Sequence, residues 1–105
     1  MALTALFGKP EKRKIKTPEG ELTLEFPVLT VEELAPLMDA GKNEKKAFEA
    51  AKQLVFKVLK RNFPEATLSD VEKLPAGVFT EILNTLMDVN GFGEEGGKSP
   101  LELKK

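Results

Sequence analysis

Glu32-Glu33 and Glu94-Glu95 are the adjacent carboxylates of this chain, the side chains that general acid–base work or a hard cation requires. The first pair follows Thr30 and opens an apolar, helix-periodic run. Acids at that place favour the positive end of a helix, so the pair reads as a helix start. The second pair lies in a Gly-rich, charged stretch without periodicity. Neither pair carries the spacing of an EF-hand, and neither reads as a catalytic dyad. "GFGEEGGK" holds glycines and a lysine, but its spacing is not that of a phosphate loop and no helix follows it. Cysteine and histidine are both absent. Disulfides, thiol nucleophiles, the usual zinc sites and a histidine base are thereby excluded. The expectation is a protein with no catalytic residue, no metal site and no cofactor.

The basic residues offer a different chemistry. Lys9, Lys12, Arg13, Lys14 and Lys16 cluster early, and a later helix carries Lys45, Lys46, Lys52, Lys57, Lys60 and Arg61 on one face. Joined, they would form a positive patch for nucleic acid. The net charge of −1, the presence of only two arginines and the lack of Tyr and Trp argue for a solvated charged face instead. Nucleic-acid binding stays as the alternative reading. Lysine and glutamate number 14 each, with a single glutamine, a balance that points toward a thermophilic source.

These residues need elements to hold them. The 105 residues suffice for one domain, and 41% apolar content suffices for a core. No apolar run approaches the roughly 20 residues that span a bilayer, and the order of charges in "MALTALFGKPEKRK" is not that of a signal peptide. A cytoplasmic location is expected, without a membrane partner. In "TPEGELTLEFPVLTVEELAPL", Leu22, Leu24, Phe26 and Val28 alternate with Glu21, Thr23, Glu25 and Pro27, the period of a strand with one buried face. Thr17-Pro18-Glu19-Gly20 supplies the turn. The strand before it, Lys12 to Thr17, holds only Ile15 as an apolar residue and reads as a charged edge.

Four helices are expected after the hairpin. Thr30 and Glu33 form a capping box for the first, which Pro36 keeps short or kinked. The longest, 43–62, carries Ala47, Phe48, Ala51, Leu54, Val55, Val58 and Leu59 as its stripe, with Phe56 off it. "TLSDVEKL" offers two overlapping caps, Thr67 with Asp70 and Ser69 with Glu72, for a helix of about two turns. The last helix starts near Pro75 and stops at Asn90-Gly91-Phe92. The predicted fold class is α+β, mainly α: an N-terminal two-stranded β-hairpin packed on about four helices. The expected organisation is one compact domain over 1–92, including an arm over 1–11, and a flexible tail over 93–105. Phe26, Leu34, Phe48, Leu54, Val55, Leu59, Phe79, Ile82, Leu83 and Leu86 are the expected core.

The succession of a hairpin "TPEGELTLEFPVLT", a helix start "TVEELAPL", a long helix "FEAAKQLVFKVLKRNFPEAT" and "TLSDVEKLPAGVFTEILNTLMDVNGF" resembles the tail assembly chaperones of long-tailed bacteriophages and related proviruses. Three features carry the likeness, over 15–92. The strand runs directly into a capped "LTVEEL" helix, a proline-containing break precedes "TLSDVEKLP", and the final helix ends at "NGF". The basic stretch before the turn has no counterpart in that pattern. The resemblance implies a non-enzymatic assembly factor that coats the tape-measure protein, and no catalytic residue is carried over. The partner expected is therefore the tape-measure or another tail protein, with weak self-association possible in the same reading. An adaptor module unrelated to tails is the other class. Phe56, Phe92 and the lysines Lys12, Lys14 and Lys16 along the hairpin edge are the candidate partner-binding residues. A packed Phe56 under an arm holding Leu3 and Leu6 is the competing role for that ring.

Overall fold

A computed structural model of the chain describes residues 8–91. Strands β1 (Glu11–Thr17) and β2 (Gly20–Phe26) precede helices α1 (Val31–Asp39), α2 (Glu44–Asn62), α3 (Leu68–Glu72) and α4 (Ala76–Val89). The class is α+β, mainly α, as the residue pattern predicts. Phe92 and the tail over 93–105, like Leu3 and Leu6 of the arm, lie outside the described residues.

The hairpin is antiparallel, with register from Glu11↔Phe26 to Thr17↔Gly20. Pro18 fixes a negative φ, and no non-glycine residue among those described has a positive one. The turn is therefore not one of the primed types that match strand twist. Gly20 absorbs the difference at φ +129°, and the Thr17 hydroxyl donates to its carbonyl at 2.7 Å. One face of the hairpin buries Ile15, Leu24 and Phe26, while Leu22 at the tip stays 43% exposed. β1 lies over α4 and β2 over α2. Arg13, on the packed face, donates to Asp88 of α4 at 2.9 Å and also binds Glu11.

Helix α2 is the centre of the molecule and touches the other three helices and β2. Asn43 caps it by accepting the Lys46 amide at 3.0 Å. Thr30 and Glu33 form the expected capping box at α1, and Pro36 sits inside this nine-residue helix without ending it. At α3 the Thr67–Asp70 box is the one that forms. The helix has five residues and not two full turns, because Pro75 disfavours helical geometry at Leu74. Pro75 stands at the N-cap of α4, where its carbonyl accepts the Phe79 amide at 3.0 Å. Gly91 leaves the helix at φ +91°.

Seven of the ten expected core residues are buried: Phe26, Leu54, Val55, Leu59, Ile82, Leu83 and Leu86. Leu34 and Phe79 are partly buried against them. Phe48 is a correction, since it is 53% exposed. Lys52 is another: the charged-face pattern puts it outside, yet it is among the buried residues of α2.

Candidate functional site

The exposure of Phe48 is not an error of helical phase. At about 100° per residue, Phe48 shares its side of α2 with Val55 and Leu59, seven and eleven positions on. Those two are 0% and 8% exposed. The azimuth is that of the core, and the covering element is what fails at this level. The short α3 and the first turns of α4 leave a groove of about 750 Å³ against the N-terminal half of α2. Ala47 and Ala51 lie along α2, Val71 and Leu74 come from α3 and the loop after it, and Phe79 and Leu83 from α4. Small alanines opposite large residues leave the volume unfilled.

Phe48 and Phe79 meet in the groove with ring centroids 5.7 Å apart and planes at 47°. The tilted arrangement suits two ring quadrupoles. Lys52 closes one side. Its ammonium lies 5.4 Å from the Phe48 centroid and binds Glu72 at 3.0 Å and Glu49 at 3.2 Å. The hydrogen bond it donates to Glu72, then that to Glu49, raises the lysine above its ordinary value. Two carboxylates thus share one cation at the rim, while the lysine stem lies against the helix.

The arrangement offers an apolar trough with a charged lip. Glu33, of the paired acids at α1, is occupied by the capping box and by Lys57. Its carboxyl is held below the ordinary range, first by the Lys57 ammonium and then by the Thr30 amide. Among the described residues no group of three or more carboxylates is placed to hold a metal ion.

Of the residues expected at a binding surface, Phe56 and the three lysines lie on different elements, α2 and β1. Phe56 is half-buried against the core. It lines a second depression of about 500 Å³, with Pro27, Leu54, Lys57 and Arg61. Lys12, Lys14 and Lys16 are exposed on the face of the hairpin turned away from the helices. Their cross-strand partners are Glu25, Thr23 and Glu21. The lysine stretch is thus interleaved with acids, and Arg61 of the long helix spends its charge on Glu25 at 3.0 Å.

Two residues that the sequence places only as helix ends do the joining. Asn62, the last residue of α2, accepts the Glu25 amide at 2.8 Å and donates to the Glu25 and Val58 carbonyls at 2.9 and 2.8 Å. Asn90, just past α4, repeats the device. It accepts the Leu29 amide at 2.8 Å and donates to the Pro27 and Leu86 carbonyls at 3.1 and 2.9 Å. Each asparagine ties a helix end to the segment leaving the hairpin. Their position at the ends of two helices was visible, but the segment they grip was not. No family model, no curated protein and no solved structure matches this chain.

Proposed function

We propose that the protein is a non-enzymatic tail assembly chaperone of a phage or provirus, which holds a helical stretch of the tape-measure protein before the tail tube forms. One observation supports this reading. A residue on the core side of the central helix, Phe48, faces a groove that no element of the described chain fills. An amphipathic client helix supplies the missing cover and buries Phe48 and Phe79 with its own apolar stripe. The carboxylates that share Lys52 at the rim favour a client with a cation beside that stripe. The proposed setting is the cytoplasm of a thermophilic host, with at most weak self-association of the free chaperone.

Co-expression with a tape-measure protein is the test. The expected result is a soluble complex that Phe48→Ser disrupts while the free variant keeps its fold. Failure of the wild-type chain to retain any tail protein removes the chaperone reading. An adaptor for unrelated helices would use the same groove and is the outcome if other helical clients bind and tail proteins do not.

A further inference from the structure

The two edges of the hairpin are not equivalent. Asn62 binds both the amide and the carbonyl of Glu25, so Glu25 turns both groups away from β1. In an antiparallel ladder the residue opposite an outward-facing one also faces outward. Glu25 is opposite Lys12, and the alternation continues to Lys14 and Lys16. These three residues therefore present their amides and carbonyls along the outer edge of β1. Among the described residues, none of those groups has a backbone partner. The edge of β2 is closed at Glu25 by a side chain shaped for the purpose. Among the described residues the edge of β1 is open from Lys12 to Lys16, a span of about 13 Å.

Charge decides what such an edge accepts. Lys12, Lys14 and Lys16 are exposed on one face, and no ion pair holds any of them among the described residues. Arg13, between them, differs because it is bound to Glu11 and Asp88. A second copy is a poor occupant: its β2, which carries Glu21 and Glu25, has the Glu25 amide and carbonyl taken by Asn62. Two β1 strands laid antiparallel place lysine opposite lysine in every register that satisfies the backbone. An incoming strand with carboxylates at alternate positions meets the opposite situation: its backbone finds open partners and its side chains find three unpaired cations.

We propose that the outer edge of β1 is a strand-addition site for an extended acidic segment of a partner protein, its carboxylates at every second residue opposite Lys12, Lys14 and Lys16. This site is distinct from the groove at Phe48 and does not depend on the chaperone reading. Salt weakens the charge-dependent part of the binding while the backbone pairing sets the register.

Amide hydrogen exchange on the full chain tests it, with a nine-residue peptide alternating glutamate with threonine and valine as the probe. Exchange at Lys12, Lys14 and Lys16 should slow by about tenfold or more at saturation, and Arg13 and Ile15, already in the ladder, should not change. The peptide with lysine in place of glutamate should not bind. Lys14→Glu should weaken the acidic peptide several-fold at low salt. Lys14→Pro should abolish protection by removing an outward amide. That proline leaves the β1–β2 ladder intact, which a cross-strand contact between Ile15 and Leu22 verifies. Should Lys14→Pro unfold the hairpin, the acidic peptide N-methylated on alternate amides serves as the same test from the other side and should not bind. Phe48→Ser should leave peptide binding unchanged, so failure here and failure of the groove are separable. Protection of the three lysine amides in the free protein would mean that another part of the chain, or a second copy, already covers the edge. That result overturns the proposal, as does protection confined to residues outside β1 or equal binding of the lysine peptide.

Discussion

Asn62 and Asn90 show how much a single side chain contributes when it stands where three backbone groups converge. Each makes three hydrogen bonds, and each links a helix end to the stretch between Glu25 and Leu29. Truncation leaves one amide and one carbonyl of that stretch without their side-chain partner in a partly buried place, those of Glu25 for Asn62 and those of Leu29 and Pro27 for Asn90, while the Leu86 carbonyl keeps the Asn90 backbone amide. Asn62→Ala and Asn90→Ala should therefore each lower stability by about 1–3 kcal/mol in urea denaturation. Asn62→Asp should rescue little, because a carboxylate accepts from the Glu25 amide but cannot donate to either carbonyl. Losses near zero for both alanine variants would mean that water replaces the asparagines without penalty. The helix-stopping role of Asn90 could be read from its place before Gly91. Its grip on Pro27 and Leu29 could not, since it depends on a segment 61 to 63 residues away. Phe56 is a similar case. Off the stripe of α2, it is nevertheless packed against the core beside Pro27, and Phe56→Ser should cost about 1–3 kcal/mol by the same measurement.

At the scale of elements, the signals that worked are those that complete themselves within a few residues. The turn at Pro18, the capping box of α1 and the period of β2 involve neighbours in the chain, so their chemistry is present in the sequence itself. The length of α3 was less legible because two caps overlapped and only one could form. The caps also make the helices sensitive to acid. In the folded state Lys57 and the Thr30 amide hold the Glu33 carboxyl below its ordinary value of 4.5, and the Thr67 amide acts in the same direction on Asp70. An acid with a depressed folded value binds fewer protons folded than unfolded. Its contribution is complete above the unfolded value and is lost as pH falls through the folded one. Glu33→Gln removes that charge from both states. The stability difference between wild type and Glu33→Gln, measured by urea midpoints, should thus be larger at pH 7 than at pH 3. An equal difference at both pH values would show that Lys57 and the Thr30 amide together do not favour the charged Glu33 in solution. At the same scale, the edge of β1 was legible as charged, but its one-sided openness emerged only with the Asn62 bonds that close β2.

For the whole molecule, the informative residue is the one whose burial was expected and did not occur. The period of α2 put Phe48 on the correct side of the helix. Whether a neighbour reaches that level depends on the lengths of α3 and α4 and on how they pass, which no pattern within α2 records. The consequence can be measured as a contrast between positions on the same core face. Leu54 and Ile82 are 4% and 1% exposed, and truncation leaves a cavity that close packing only partly refills. Leu54→Ala and Ile82→Ala should each cost about 2–5 kcal/mol, a large share of the total stability of a domain this size. Phe48→Ser removes a larger side chain from a more open place and should change stability by less than about 1 kcal/mol. Urea denaturation of the three variants gives the comparison directly. If Phe48→Ser is as costly as Leu54→Ala, the groove closes over the ring in solution and Phe48 is an ordinary core residue. If it is cheap while the other two are costly, the core is complete without Phe48. The apolar surface on α2 and α4 then serves something that binds, and a helix whose stripe matches Phe48, Phe79 and Leu83 is the shape that fills it.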